Sequence, residues 1–457
     1  MSGRIDRLGP KLESMVAAFV KEHRLPGVAA GLVHGDELAW SFGYGFADVE
    51  DRRPPDARTL YRIASITKTF TGTAILQLRD EGLLSLDDPV IGCLPELRGG
   101  DSGVAPIDRV TIRGLLSHES GLLGDPPGAD WATAEYEGVF ARTVERVHEI
   151  GVRIPPFTLS KYSNLGYQIL GEVVARTAAM PFQDYVTHNI LEPLGMSSTV
   201  FEPLPPELAE RLATGYAARW LSDELPLARE NPIVWAEGGL ISCLEDLSRW
   251  ISFQFRENGG ERSGAQVLAG STLREMHTPR YLANETWTEA FAVSWYAVRR
   301  GDVIWTQHSG GLYGFVTNVC FRAEEGLGAI ALLNGNAEAA DLAMDLAELA
   351  LTEIRRIAEP AMPPAPMPET FAPLLGLYLI TEESLVIRLE WRDGRLELRD
   401  PDSPEWHPVL EPTDDPGVFV IRGFRQAGEL AVFDYDSHGR VRAMKMGPET
   451  LRRLDVV

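Results

Sequence analysis

The sequence contains few cysteines, and they are not placed to build a framework. Only three occur in 457 residues: Cys93, Cys243 and Cys320. Because they are odd in number and far apart, they exclude a dense disulfide scaffold and a Cys-x-x-Cys metal pair. Each lies in an apolar stretch, so we expect three buried free thiols.

Basic residues are scarce relative to acidic ones. Lysine and arginine number 43 against 66 aspartates and glutamates, which gives a formal net charge of -23 and a pI near 4.9. A surface of this sign repels phosphate backbones and anionic lipid headgroups. We therefore expect neither a nucleic-acid partner nor a membrane partner.

Long apolar runs are also missing. In the opening "MSGRIDRLGPKLESMVAAFVKEH", apolar residues fall at helical spacing and are interrupted by Lys and Glu, unlike the continuous core of a signal peptide. No later stretch reaches the roughly 18 apolar residues of a membrane-spanning helix. These features predict a cytoplasmic protein.

One segment marks a domain boundary. The prolines of "EPAMPPAPMPET" favour an extended spacer. We expect a first domain over residues 1–358, a linker over 359–370 and a second domain over 371–457. In the second, "SLVIRLEWRDGRLELRD" alternates on both sides of Asp393-Gly394, a hairpin signal that predicts a small all-β domain.

The first domain has strand patterns at both ends and helical patterns between them. Strands are expected around a turn within 27–48 and again over 291–334, with helices over 4–23, 65–81 and 337–357. This order predicts one mixed α/β domain. Its sheet would be completed by pairing the N-terminal strands with the C-terminal ones.

A first candidate pair lies in "YRIASITKTFTGTAILQLRDEG". Ser65 and Lys68 stand three residues apart at a helix start, so their side chains share a face. A serine hydroxyl needs a base before it can act as a nucleophile, and a buried lysine can serve. The helix N-terminus would also favour negative charge developing there. Taken alone, the pair is more typical of a capping serine and a surface lysine than of a catalytic pair.

A second candidate cluster lies in "KYSNLGYQILGEVV". Tyr162, Ser163 and Asn164 stand just before an apolar helical run, where Ser163 or Asn164 is suited to cap the helix. The alternative is a tyrosine that exchanges protons with a nearby lysine, beside an amide that binds a substrate carbonyl.

The third candidate stretch is "TQHSGGLYGF", residues 306–315. It matches neither phosphate-binding glycine pattern. The histidines of the chain show no metal-ligand spacing, and there is no Gly-x-Ser-x-Gly nucleophile elbow. We therefore expect no metal and no cofactor.

Together, the three clusters resemble the serine β-lactamase and penicillin-binding-protein superfamily. The order Ser-x-x-Lys, Tyr-Ser-Asn and His-Ser-Gly is similar to the branch of class C β-lactamases, D-alanyl-D-alanine carboxypeptidases and family VIII esterases (peptidase family S12 type). "LLSHESGL", "LEPLGM", "AEGGLISCLEDLSRW" and "HSGGLYGF" also resemble signatures of that branch. The likeness covers about residues 10–355, and the tail resembles a lipocalin-like barrel that some members append.

The resemblance implies a fold and a set of roles. The fold is α/β (α+β): an antiparallel sheet flanked by helices, an all-α region and a small C-terminal β-barrel. Ser65 would be the acylated nucleophile and Lys68 its partner, with Tyr162 as general base. Asn164 would bind the acyl-side carbonyl or hold Lys68.

The resemblance also assigns the third stretch. His308, Ser309 and Gly310 take the place of a Lys-Thr-Gly strand at the cleft edge. The backbone N–H groups of Ser65 and Gly311 would form the oxyanion hole, and Tyr313 would line the acyl pocket or pack at the strand edge.

The departure from the family pattern is His308. A lysine there would bind a substrate carboxylate, whereas a histidine with an ordinary pKa of about 6.5 is largely neutral at physiological pH. We therefore expect a covalent serine hydrolase acting on ester or amide bonds of small or D-configured acyl substrates.

Several alternatives stay open at this point. They are a β-lactamase, a D-alanyl-D-alanine carboxypeptidase or D-aminopeptidase, and a penicillin-binding sensor that acylates without turnover. The expected partner is a small ester, amide or peptide. Homo-oligomerisation is left open, as is whether the tail caps the cleft or mediates that association.

Overall fold

The computed structural model describes residues 2–99, 103–126, 143–216, 236–258, 267–312, 314–358, 366–380, 385–392, 394–401, 403, 406–447 and 449–454. Contacts divide the chain into two compact units, Met1–Ile354 and Arg355–Val457. Residues 359–365 of the predicted linker lie outside the described part of the chain.

Within the described residues, the helices of the first unit are mostly short, apart from five longer ones of 11 to 21 residues. In chain order the α-helices are α1 Ser2–Glu22, α2 Thr67–Asp80, α3 Val90–Cys93, α4 Ile112–Leu116, α5 Asn164–Ala178, α6 Phe182–Val186, α7 Glu192–Leu194, α8 Pro206–Ala209, α9 Leu244–Gln254, α10 Gly270–His277 and α11 Ala339–Ala358. Short 3-10 and π turns join them at Ala64–Ile66, Pro95–Leu97, Ile107–Arg109, Val147–Glu149, Thr187–Leu191 and Phe255–Asn258. The described residues from α3 to α7 are predominantly helical and form the predicted all-α region.

The strands of the first unit form two antiparallel sheets. They are β1 Gly27–His34, β2 Glu37–Gly45, β3 Tyr61–Arg62, β4 Val200–Phe201, β5 Leu240–Ser242, β6 Tyr281–Leu282, β7 Glu289–Phe291, β8 Tyr296–Arg300, β9 Val303–Leu312, β10 Phe315–Arg322 and β11 Leu327–Leu333. Within the described residues, the larger sheet has eight strands in the order β2-β1-β11-β10-β9-β8-β7-β6, and the smaller has the order β3-β5-β4.

The ends of the first unit meet in the larger sheet. Strand β1 pairs antiparallel with β11, from Val28 opposite Leu333 to His34 opposite Leu327. This pairing confirms the prediction that the N- and C-terminal strand patterns are neighbours. It also confirms the predicted mixed α/β architecture with an antiparallel sheet flanked by helices.

The sheet is buried on both faces, which explains why β1 reads as a continuous apolar run. Alternate side chains of a strand point to opposite faces. Ala29 and Val33 join the core shared with α2, α5 and α9. Val28, Ala30 and Leu32 join the core shared with α1 and α11.

The second unit is a closed antiparallel barrel preceded by a 3-10 turn at Glu369–Leu374. Its strands are β12 Gly376–Ile380, β13 Leu385–Arg392, β14 Arg395–Arg399, β15 Val409–Pro412, β16 Val418–Arg422, β17 Leu430–Tyr435, β18 Val441–Met446 and β19 Glu449–Leu454. Strand β12 pairs with β19 and closes the barrel. The predicted small all-β domain and the hairpin around Gly394 are confirmed, with Arg392 opposite Arg395.

One expectation about the cysteines needs correction. Cys243 and Cys320 are buried free thiols as predicted, but Cys93 is only half buried because it ends the short helix α3 near the surface. A membrane-spanning helix was not expected, and no helix within the described residues has the length and apolar character to cross a bilayer.

Candidate active site

Ser65 lies in a tight turn that leads into helix α2. The turn Ala64–Ile66 is a single 3-10 turn, and α2 begins at Thr67. Ala64 holds a positive φ of 48°, a conformation that costs an L-residue about 1 kcal/mol or more. Such conformations cluster at functional sites because the surrounding structure enforces them. Here the strained residue directly precedes Ser65.

Lys68 meets Ser65 as the spacing predicts. Its Nζ donates a hydrogen bond of 3.0 Å to Ser65 Oγ. A second bond of 2.6 Å runs from Nζ to the backbone carbonyl oxygen of Glu237. The side chain is fully buried, and its Nζ lies 5.0 Å from the ring centroid of Tyr162 and 5.5 Å from that of Tyr167. Lys68 is therefore held in one position beneath the serine.

The loop at Ala236 and Glu237 anchors Lys68, which the sequence did not predict. Thr71 Oγ1 donates a 2.6 Å hydrogen bond to Ala236 O, so α2 binds two successive carbonyls of the loop. The buried Glu237 side chain accepts a 2.6 Å bond from Gln168 Nε2 of α5. A Cβ on Gly171 would lie 2.4 Å from Ala236 Cβ, so only glycine in α5 permits this approach. The glycine is a sequence signal, but its partner is distant in the chain.

Tyr162 precedes the helix that Ser163 caps. Ser163 Oγ accepts a 2.9 Å hydrogen bond from Gly166 N and donates one of 2.6 Å to Leu123 O. The predicted capping function thus belongs to Ser163, and Tyr162 lines the cleft beside Ser65. The cap fixes where α5 begins and so fixes the position of Tyr162.

His118 supports Tyr162 from below. Its Nδ1 accepts a 3.1 Å hydrogen bond from the Ser163 N–H, and its ring stacks on Tyr162 at 4.3 Å between centroids. Burial first, and the charge of Lys68 second, hold the pKa of His118 well below its ordinary value. A neutral ring can accept the hydrogen bond from the Ser163 N–H. It also adds no positive charge beside Lys68.

Tyr167 is a buried companion of the same cluster. Its hydroxyl donates to Leu116 O at 2.8 Å and is bonded to Ser294 Oγ at 2.7 Å. Burial raises the pKa of this phenol. With both hydroxyl contacts occupied by protein, Tyr167 supports the site and does not offer an exchangeable proton.

The side chain of Asn164 is oriented differently from what the family resemblance implies. Its Nδ2 donates a 2.9 Å hydrogen bond to Asp125 Oδ1 at the protein surface. Within the described residues, the hydrogen bonds of Lys68 Nζ go to Ser65 Oγ and to the Glu237 carbonyl oxygen, so in this structure it is Glu237 that holds the lysine. The carbonyl-binding role expected for Asn164 requires its amide to leave Asp125.

Strand β9 approaches the nucleophile turn through Gly310. A Cβ there would lie 2.1 Å from Ile63 O and 2.5 Å from Thr317 Oγ1, so no larger residue fits without movement. Thr317 Oγ1 donates a 3.0 Å hydrogen bond to Ile63 O and ties β10 to the same turn. At Gly311, by contrast, a Cβ would meet no atom within 4 Å. Gly310 therefore sets the close approach, and Gly311 lines open space.

Ser309 is engaged in a polar network and not with His308 Nε2. Its Oγ accepts a 2.9 Å hydrogen bond from Asn318 Nδ2 and donates to Gln307 Oε1 at 3.3 Å. Asn318 Nδ2 also donates to Gln307 Oε1 at 2.5 Å. The network fixes the cleft side of β9 and leaves Ser309 without a base among its described partners.

His308 is a neutral histidine of defined tautomer. Its Nδ1 lies 2.7 Å from Ser309 O, and a carbonyl only accepts, so Nδ1 carries the proton. Nε2 is then an acceptor, and it has no hydrogen-bond partner among the described residues. Burial, aided by the nearby charge of Lys68, lowers the pKa of His308 to about 3. The ring is therefore uncharged near neutral pH.

These residues border one cleft of about 530 Å³. It is lined by Ser65, Tyr162, Tyr296, Gln307, His308, Ser309, Gly310, Gly311, Val316, Asn336, Ala337 and Glu338. Tyr313, expected at its edge, lies outside the described residues. Within the described chain, no group of three or more histidine, cysteine and carboxylate side chains is arranged to hold a metal ion.

A buried lysine against a serine in such a cleft is typical of serine acyl-transfer sites, and comparison with known proteins decides the family. The profile of the family described as Beta-lactamase matches residues 12–353. The chain belongs to the beta-lactamase family. This result confirms the resemblance to the serine β-lactamase and penicillin-binding-protein superfamily, and it supports a serine hydrolase in general terms.

The individual curated relatives have low sequence identity to this chain. Beta-lactamase-like protein 2 of Dictyostelium discoideum is 31% identical over 288 residues, which cover 60% of this chain and 50% of that protein. The chain spans 50 to 63% of the length of the first curated relatives it matches.

Solved structures of the family share the fold. The octameric penicillin-binding protein homologue from Pyrococcus abyssi matches with a TM-score of 0.63 at 22% identity, covering 97% of this chain and 99% of that chain. The class C beta lactamase from Rhodobacter sphaeroides matches with a TM-score of 0.62 at 22% identity, covering 76% and 99%. At such identity the likeness establishes the fold and not the substrate.

Proposed function

We propose that the chain is a serine hydrolase that forms an acyl-enzyme on Ser65 and cleaves ester or amide bonds of small or D-configured acyl substrates. The observation that carries the proposal is the 3.0 Å hydrogen bond from the buried Lys68 Nζ to Ser65 Oγ at the cleft. A nucleophile and a group able to exchange its proton, in contact and fixed by their surroundings, are what covalent acyl transfer requires.

In the proposed reaction, Ser65 Oγ attacks the substrate carbonyl carbon and its proton passes to the Lys68–Tyr162 pair. The carbonyl oxygen becomes an oxyanion, for which the Ser65 and Gly311 N–H groups are the donors we assign. Collapse breaks the bond to the alcohol or amine, which leaves with the proton. Water then attacks the Ser65 ester, releases the acid and restores the serine.

The support for Tyr162 is its position. It lines the cleft with Ser65, and its ring lies 5.0 Å from Lys68 Nζ. A phenol beside a lysine can relay a proton between the serine hydroxyl and the lysine amine. Tyr162→Phe removes the phenolic proton while keeping the ring, and we expect it to slow acylation without unfolding the protein.

The support for the substrate preference is His308. Because its Nδ1–H is bonded to Ser309 O and its Nε2 is an acceptor, the ring offers no donor and no charge to a carboxylate. β-Lactams and peptides ending in D-Ala-D-Ala carry such a carboxylate. We therefore expect uncharged esters and amides to be hydrolysed faster than these carboxylate-bearing substrates.

The decisive test is a substrate panel with Ser65→Ala as the blank. It contains a cephalosporin, p-nitrophenyl butyrate, and D- and L-aminoacyl p-nitroanilides. We expect Ser65-dependent hydrolysis of the butyrate ester to exceed that of the cephalosporin, and the opposite order would end the substrate assignment. His308→Lys should shift the preference toward carboxylate-bearing substrates, and an unchanged preference would remove His308 from the explanation.

A sensor that acylates without turnover is the other function to separate. Intact-protein mass spectrometry after incubation with a penicillin distinguishes the two. A persistent adduct on Ser65 with no hydrolysis of any ester or amide would identify the sensor. The relative from Pyrococcus abyssi is described as octameric, so native mass spectrometry belongs in the same experiment as a test of self-association.

A further inference from the structure

Glu338 is the one charged side chain among the residues that line the described cleft. The other lining side chains are hydroxyl, amide, apolar or glycine positions, together with the neutral ring of His308. Lys68 is not among these lining residues, because its side chain is fully buried and its Nζ is hydrogen-bonded to Ser65 and Glu237. Among its described lining residues, the cleft therefore presents a carboxylate to its substrate and no exposed cation.

Glu338 lies at the start of a helix. It directly precedes α11, a helix of 20 residues, and its backbone carbonyl accepts a 3.1 Å hydrogen bond from Asp341 N. A carboxylate at a helix N-terminus is stabilised by the aligned peptide dipoles. The positive end of α11 is thus matched by the chain's own acidic residue.

The Glu338 carboxylate is also accessible. The residue is exposed, and no ion pair of its side chain is recorded among the described residues. Asp341 and Asp345, one and two turns into α11, are instead paired with Arg300 at 2.8 and 2.6 Å. Within the described part of the chain, the arginine that binds this helix leaves the cleft carboxylate to solvent.

We infer that Glu338 selects substrates that carry a protonated amine near the scissile carbonyl, such as aminoacyl esters and amides with a free amino group. This inference rests on the proposed acyl transfer at Ser65 and narrows its substrate class. Glu338 attracts the ammonium group, and the described lining of the cleft holds no exposed cation to repel it. An acetylated amine loses the charge and a carboxylate reverses it, so both bind less well.

Equilibrium binding tests the inference without turnover. The Ser65→Ala protein is titrated calorimetrically with alaninamide and with N-acetylalaninamide, in both configurations. An exposed ion pair predicts that the free amine binds about 3- to 5-fold more tightly at low salt, and that the ratio falls as salt screens the pair. Equal affinities of amine and acetylated ligand would overturn the inference.

Variants locate the effect. In the Ser65→Ala background, Glu338→Gln should bring the affinity ratio close to one, and Glu338→Lys should make the acetylated ligand the tighter binder. Asp302→Asn is the matched control, because it also removes one negative charge but lies in the turn before β9, about 30 Å of strand from Gly311. A ratio that falls equally in Asp302→Asn would assign the effect to net charge and overturn the role of Glu338.

The kinetic comparison separates this inference from the proposed function. If wild-type protein hydrolyses p-nitrophenyl butyrate through Ser65 but shows equal kcat/KM for alanyl and N-acetylalanyl p-nitroanilide, the hydrolase stands and the role of Glu338 fails. If Ser65-dependent hydrolysis and labelling are both absent, the hydrolase fails, and the binding ratio alone decides whether Glu338 recognises amines.

Discussion

Replacement of His308 by asparagine should make the first unit less sensitive to acid. In the folded protein, burial first and Lys68 second lower the pKa of His308 to about 3, whereas the unfolded chain has an ordinary value of about 6.5. Between these values the unfolded state binds a proton that the folded state does not. Stability therefore falls as pH decreases from about 6.5 toward 3, and this contribution is absent above 6.5.

The size of the effect follows from the same two values. Integrating the proton difference from about pH 7 to about pH 5 gives a loss of about 2 kcal/mol from His308 alone. His118 and His277 are also buried with lowered pKa values, so they add losses of the same sign. His308→Asn removes the pH-dependent loss of stability that comes from this one ring. The asparagine amide still offers a hydrogen-bond donor to Ser309 O. The cavity that the smaller side chain leaves costs the same at both pH values and cancels.

The assay is urea unfolding at pH 7 and pH 5, followed by hydrogen exchange of peptides from β9 and β10 so that the barrel does not contribute. Between pH 7 and pH 5, we expect the free energy of unfolding to fall by about 2 kcal/mol more in wild-type protein than in His308→Asn. His148→Asn, at a side chain that is 72% exposed, is the control and should behave like wild type. Equal losses in wild type and His308→Asn would refute the assignment of a buried neutral ring.

Four further substitutions test the geometry of the site. Gly310→Ala places a Cβ 2.1 Å from Ile63 O and should cost about 1–3 kcal/mol of stability by urea unfolding, whereas Gly311→Ala, with nothing within 4 Å, should leave stability unchanged. Lys68→Met keeps the buried stem but removes the partner of Ser65 Oγ, so the rate of adduct formation with a fluorophosphonate should fall about 10³-fold or more with the fold intact by circular dichroism. Ser163→Ala removes the cap of α5 and should destabilise by about 1 kcal/mol in thermal unfolding; no change would mean that the bond to Gly166 N contributes nothing.

Local patterns in the sequence predicted local contacts well. The spacing of Ser65 and Lys68 predicted their meeting, and a serine before an apolar helical run predicted the cap of α5. The pairing of β1 with β11 was also predictable, because strand patterns at both ends of a domain with helices between them leave few other partners. In each case the physics acts over a few residues or follows from the order of elements.

Contacts between distant loops were not predictable in the same way. Nothing in "AEGGL" identifies the carbonyl of Glu237 as the acceptor for Lys68, since every residue carries a carbonyl and only the fold selects one. The resemblance placed the Asn164 amide at the substrate, but Asp125, on another loop, takes it in this structure. The neutrality of His308 was expected from its ordinary pKa, yet its extent depends on burial that the sequence does not reveal.

The central claim is that Ser65 is the acylated nucleophile, and peptide mapping after labelling tests it most directly. Wild-type protein and Ser65→Ala are incubated with a fluorophosphonate, digested and analysed by mass spectrometry. The geometry predicts a single adduct on the peptide that contains Ser65 and none in Ser65→Ala. A label on the peptide that contains Ser309, or one that persists in Ser65→Ala, would contradict the claim.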